Sequence, residues 1–258
     1  MITIKSILLY VISIALLAIL WLYTYYHPVM INTSAQLQPP SLTHHLLGTD
    51  QLGRDLLSRL IIGSAVTLLL TAIVIILSVV TGLLLGLISG IVGRFIDVMM
   101  MFIADMLLVI PSFIIALIVL TFVNDSIVGL MVALTIGWLG RYLRYFRNLT
   151  RDIITKPFII YAPLSGYSKI QTTFFHIIPN LTSNVLALVS ADFGKIMLSI
   201  SGLAFLGLGI KPPTPELGTI LFDGKSFFNS APWLFFFPGL LLGGYAYLCQ
   251  MIHNNINQ

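Results

Sequence analysis

Charged side chains are scarce in this chain, so each one inside an apolar run is a candidate for chemistry. Asp, Glu, Lys and Arg together make up only 9% of its 258 residues. Asp192 and Lys195 stand three apart in one apolar run, on one face if that run is helical, where they can pair. Asp105 interrupts another run. Ionised groups in an apolar medium face a partner, the protein interior or a watery path. Asp105, Asp192 and Lys195 are therefore expected either to hold helices together or to line a translocation route. His44 and His45 invite a metal reading, but adjacent side chains diverge on a helix and no Cys or acidic cluster completes a ligand set. No metal ligand is assigned. A lone cysteine, Cys249, cannot form an intramolecular disulfide. The sequence offers no nucleophile–base–acid constellation and no Gly-x-x-x-x-Gly-Lys stretch, so neither catalysis nor Walker-type nucleotide binding is expected of the chain itself.

The elements that must position these residues are membrane helices. Hydrophobic residues make up 58% of the chain, and its mean hydropathy is +1.01. Soluble domains carry roughly 25% charged residues, so a surface this poor in charge must face lipid. No Asp, Glu, Lys or Arg occurs between Arg59 and Arg94. That stretch exceeds the run of about 20 residues that crosses a bilayer as a helix. Barrel strands would alternate polar and apolar residues in short pieces, whereas these runs are continuous. An all-α polytopic protein with about six spans is expected, near 7–26, 60–90, 98–122, 127–140 (short for a crossing, with room to extend toward Tyr145), 181–202 and 232–252.

The first run follows Lys5 and ends in Trp21, Tyr23, Tyr25 and Tyr26, where a cleaved leader would carry small residues. It reads as an uncleaved span, and residues 1–59 as an N-terminal helix plus a polar connection, with the main membrane domain over 60–258. Basic residues set the orientation. Lys5, Arg94, Arg141, Arg144, Arg147, Arg151, Lys156 and Lys169 fall on one side, against Arg54, Arg59, Lys211 and Lys225 on the other. Both termini are thus expected in the cytoplasm, with the Arg141–Arg151 cluster in an inner loop. The formal net charge of +4 reflects this bias and not a nucleic-acid partner.

Three segments carry spacing of their own. Before the second span, Gly48-Thr49-Asp50 and Gly53-Arg54-Asp55 precede Ser58-Arg59. The glycines permit turns, Asp50 can cap the following helix, and Asp55 and Arg59 stand at helical ion-pair spacing. After the fifth span, Phe205-Leu206-Gly207-Leu208-Gly209-Ile210-Lys211-Pro212-Pro213-Thr214-Pro215-Glu216 must end the helix and build an external loop. The third segment, 151–180, is amphipathic and broken by Pro157, Pro163, Gly166 and Pro179. Its spacing fits two short helices turning at Gly166 outside the bilayer, or a surface helix lying on lipid headgroups.

In collinear order from about His44 to the C-terminus, these stretches resemble the permease subunits of ABC importers for dipeptides, oligopeptides and nickel. Asp97 and Asp105 before Ile110-Pro111-Ser112, and Ala231-Pro232-Trp233 with Phe237-Pro238-Gly239, are similar to that family's third and sixth spans. The resemblance implies an ATPase-coupling loop at 151–180. Gly166 and Pro179 take the family's Gly and Pro positions, Ala162 keeps its second alanine, and Leu164, Ser165 and Tyr167 complete the turn. Ile160, Tyr161, His176 and Ile178 depart from the pattern, and Ile160 removes its acid. Leu164-Ser165-Gly166, Asp192-x-Gly194 and Met197-Leu198 look like the nickel branch. The resemblance further implies alternating access with a homologous second permease, two ATPase subunits that hold ATP and Mg, an external solute-binding protein and no cofactor in this chain. Two rivals share the same apolar spans: a secondary transporter using Asp105 and Asp192 for proton coupling, and a membrane enzyme or scaffold.

Overall fold

Apolar runs as long as these can satisfy their backbone polar groups in lipid only by closing them within helices, and helices account for every extended element found. The computed structural model describes residues 29–123 and 127–256. The expected first span, 7–26, lies outside the described residues. The helices are α1 (Leu56–Val92), α2 (Arg94–Val109), α3 (Ser112–Phe122), α4 (Ile127–Ile154), α5 (Pro157–Ile160), α6 (Lys169–Thr172), α7 (Ile178–Leu203), α8 (Leu217–Lys225) and α9 (Trp233–Ile256). Among the described residues the one β contact is an isolated bridge between Thr49 and Asp55.

Among the described residues, four stretches are long and apolar enough to cross a membrane: Leu56–Val92, Ile127–Ile154, Leu188–Leu208 and Trp233–Asn254. The pair α2 and α3 adds a fifth, but it is bent by 99°, where the sequence predicts one continuous span. Pro111 causes the break. It lacks an N–H and drives the preceding residue out of the helical region, and Ile110 is extended at φ −90°, ψ 128°. The fourth expected span is longer than predicted, because α4 continues through Arg141–Arg151 to Ile154. That arginine cluster is a helix face and not a loop.

The chain divides into two compact units. One comprises residues 29–70, 127 and 200–246, the other 71–123, 128–199 and 247–256. Within the second, α1 and α4 pack at van der Waals limits. A Cβ added at Gly86 would stand 2.8 Å from both Phe146 Cβ and Arg147 N, and one at Gly90 would stand 2.7 Å from Thr150 Cγ2. Gly82 meets Tyr142 in the same way. Small residues four apart let two helix backbones approach in lipid, where no hydrophobic force drives them together. The first unit is organised around Glu216. Its carboxylate caps α8 through Thr219 N at 2.9 Å and accepts from Thr67 Oγ1 at 3.0 Å and Ser201 Oγ at 2.9 Å. A buried carboxylate needs such donors, and these draw α1, α7 and α8 to one point.

Candidate functional site

The loop around Gly166 is built by successive stop and start signals. Lys156 is extended and Pro157 opens α5, where the missing N–H costs nothing. A 3-10 turn, Ala162–Ser165, follows and ends at Gly166 with φ 85°, ψ 5°. Gly166 N donates to Pro163 O at 3.0 Å and Tyr167 N donates to Ala162 O at 3.3 Å. This bond pair is the Schellman closure, which places a left-handed residue at the helix end. A Cβ on Gly166 would meet nothing within 4 Å, so backbone conformation and not crowding selects glycine. Ser168 and Gln171 then form a capping box that starts α6. A π-helical turn, Thr173–Ile177, leads directly into α7.

Two faces of this segment have opposite fates. Ile159 and Ile177 are buried with Leu87, Ile153 and Leu181, which ties the loop to its helical base. Ala162 is buried as well, whereas Leu164 is 83% exposed. Ser165, Gly166, Tyr167 and Pro179 are also exposed. Further apolar side chains, Ile160, Tyr161, Ile170, Phe174 and Phe175, are exposed. Two of the departures from the resembled motif are absorbed locally. His176 meets Tyr167 edge-on at 4.9 Å, and Ile178 packs against the buried cluster.

The second feature is a ladder of ion pairs along α4. Arg141, Arg144, Arg147 and Arg151 recur every three or four residues, hence along one side of the helix. Arg147 grips Asp97 with two bonds, Nε to Oδ1 at 2.7 Å and Nη2 to Oδ2 at 2.5 Å. Arg151 adds a third at 2.7 Å, and Ser89 Oγ a fourth at 2.7 Å. Arg144 pairs with Asp105. Asp192, fully buried, accepts from Arg141 Nε at 2.7 Å and from Lys195 Nζ at 3.3 Å. The predicted Asp192–Lys195 pair therefore exists, but Arg141 is the closer partner.

The third feature, in the other unit, is the turn at 48–55. Gly48 and Gly53 have φ of 81° and 70°, a region that favours glycine. Thr49 is clamped on both sides, with its Oγ1 donating to Ala35 O at 2.5 Å and its carbonyl accepting from Trp233 Nε1 at 3.2 Å. The aspartates exchange the roles expected of them. Asp55, immediately before α1, caps it by accepting from Ser58 N at 2.9 Å and Ser58 Oγ at 2.7 Å, and it meets His45 Nδ1 at 2.9 Å. Asp50 is folded into its own turn, where it accepts from Leu52 N, Arg54 N and Arg54 Nε. Arg59 reaches past Asp55 to Asp50 and to Asp223, 3.4 Å away. The position directly ahead of the helix decides which acid caps.

Residues 82–255 match the family described as the inner membrane component of binding-protein-dependent transport systems. That match covers most of the chain. The protein belongs to this family of ABC importer permeases. The permease is similar over 91% of its length to the dipeptide transport system permease protein DppC of Haemophilus influenzae, at 31% identity and 82% of that protein. DppC of Alkalihalophilus pseudofirmus is 33% identical over 81% of this chain and 68% of its own length. The peptide transport system permease protein SapC of Escherichia coli is 34% identical over 79% of this chain and 71% of its own. These relatives are named for dipeptides and peptides, so the nickel branch suggested by the local motifs is not supported. The permease is a multi-pass membrane subunit that works with ATPase and binding-protein partners, and it is not an enzyme.

Several residues that organise this permease were not singled out by sequence reasoning. Arg141, Arg147 and Arg151 passed as loop charges, although their helical spacing signals a face seeking acids. Asp223 and the capping role of Glu216 lay beyond three prolines, where α8 was not foreseen. His45, set aside as a metal ligand, is held by Asp55, and no group of three metal-ligating side chains occurs among the described residues.

Proposed function

We propose that this permease carries small peptides inward across the cytoplasmic membrane by alternating access, paired with a second, homologous permease and driven by two ATPase subunits. One observation carries the substrate: the relatives similar over 79–91% of the chain are named for dipeptide or peptide transport. ATP and Mg reside on the ATPase subunits, and an external binding protein delivers the peptide. Both termini and the 151–180 loop face the cytoplasm. The exposed apolar tip around Leu164, Gly166 and Tyr167 docks to an ATPase, while Ala162 and the buried base pass its movement to α4 and α7. Any shift between the two states requires that the ATPase grip one more tightly than the other. Asp105, Asp192 and Lys195 face the translocation path, and the Gly48–Asp55 turn fixes the outer entrance of α1. The arrangement proposed here joins residues 1–59 as an N-terminal span and connection to a main domain over 60–258.

The test is uptake of a radiolabelled dipeptide by proteoliposomes holding the permease pair, its ATPases and binding protein. Uptake that needs ATP supports the reading. An assembled complex that hydrolyses ATP but accumulates no peptide refutes the substrate assignment, and uptake driven by an imposed ion gradient without ATP refutes the energy source.

A further inference from the structure

Lys195, in the second unit, has no acid to itself. Arg144 is matched by Asp105, and Arg141 closes on Asp192 at 2.7 Å. Lys195 must share Asp192, from the longer distance of 3.3 Å, and 57% of its side chain remains exposed. Three cations thus stand over two carboxylates. An ammonium has three donors, and Asp192 engages one of them.

Lys195 lies within the membrane-crossing stretch Leu188–Leu208, away from the ends where lysines reach the headgroups. A charge held there against lipid is costly, so water or another protein must cover it. A permanent protein cover would need an acid of its own, because burying an unmatched charge is strongly destabilising. A water-filled path needs none, and its cargo can supply one. Peptides with free ends carry a C-terminal carboxylate, which an ammonium recognises by a charge-assisted hydrogen bond.

We infer that Lys195, backed by Asp192 and Arg141, is the point at which the path reads the C-terminal carboxylate of the peptide in transit. The inference rests on the peptide-importer reading above. Arg141 holds Asp192 in place, so the carboxylate beneath Lys195 is already half-satisfied and cannot pin the ammonium. The shared acid also weakens the pull on cargo, so binding is transient, as passage requires.

The test uses the complete complex in proteoliposomes and compares uptake of a dipeptide with uptake of its C-terminal amide. Every variant shares one binding protein, so selectivity imposed at that step cancels when ratios are compared. K195Q is expected to lower the dipeptide-to-amide uptake ratio about tenfold, the scale of one lost hydrogen bond to a charged group. K195R restores the ratio, and K195E turns the preference toward the amide. An unchanged ratio in K195Q and K195E, with ATP hydrolysis intact, overturns the inference. Loss of assembly in all three variants, K195R included, assigns Lys195 to structure and overturns it equally. Absence of dipeptide uptake by the unaltered complex refutes the peptide-importer reading instead.

Discussion

Leu164 is where docking and folding can be separated. It is 83% exposed at the tip of the 151–180 loop, so the chain's own fold captures only about a sixth of its burial energy. Fully burying a leucine contributes about 1.5–3 kcal/mol. About 1.2–2.5 kcal/mol is therefore left for a partner, equivalent to roughly 8- to 70-fold in affinity. Leu164→Ala is expected to weaken ATPase association by that factor, and Leu164→Asp by more, since it carries a charge into an apolar contact. Neither variant should move the thermal unfolding midpoint of the permease. The control is Ile177→Ala, at 3% exposure in the buried base, which should cost about 2–5 kcal/mol of stability. Titrating purified ATPase onto the permease pair in detergent, alongside a melting curve for each variant, reads both quantities. If Leu164→Asp leaves ATPase affinity unchanged while Ile177→Ala melts early, the loop is not the docking surface and the coupling argument fails.

Three further predictions concern the framework. Gly86→Leu, where even a Cβ stands 2.8 Å from Phe146 and Arg147 N, should force α1 from α4 and cost at least the roughly 1–3 kcal/mol of ordinary overpacking; Gly239→Ala, which meets nothing within 4 Å, should melt unchanged. Asp97→Asn strands Arg147 and Arg151. It is expected to cost about 3 kcal/mol, the low end for breaking a buried pair, because Arg151 is 43% exposed and stays partly screened. A melting curve that shifts less than Gly239→Ala does would refute this. Asp50→Asn leaves Arg54 and Arg59 facing each other, both nearly buried; a loss of about 3–5 kcal/mol is expected, read as lower yield of folded protein, and Asp50→Glu should recover part of it.

The membrane class and most helices were legible because lipid imposes one rule, continuous apolar runs closed as helices, and that rule is written in composition. The turn at Gly166 was legible for a similar reason, since Pro157, Pro163 and a glycine restrict the backbone locally. What escaped depended on distance along the chain. Asp97 meets Arg147 and Arg151 fifty or more residues away, and nothing in local spacing chooses Arg151 over a solvent role. Asp50 and Asp55 were exchanged because both precede a helix, and only the position of its first turn tells cap from ion pair. The extension of α4 through Arg141–Arg151 ran against charge-based loop reading: arginines forbid lipid but not helix, once acids on α2 and α7 receive them.

The two ion clusters divide their work by exposure. Around Asp50, two arginines at 4–6% side-chain exposure are balanced by two aspartates. Breaking such a pair leaves a buried charge and costs several kcal/mol, so this cluster is expected to hold one geometry. Along α4, Arg144 and its partner Asp105 are 43% and 51% exposed, and a pair so open to solvent contributes little net stability. Little is then lost when that guanidinium leaves its acid, whereas Arg141 leaving Asp192 would strand a buried carboxylate. Alternating access requires that some contacts survive both states and others change hands between them. Buried, charge-balanced Asp50 suits the first duty, and the open Arg144–Asp105 pair suits the second. Crosslinking should separate them: a covalent tie across the Asp50 turn is expected to leave transport intact, whereas one joining α2 to α4 beside Asp105 should arrest it while ATP still binds. Transport that continues through the second tie would mean that the ladder does not move.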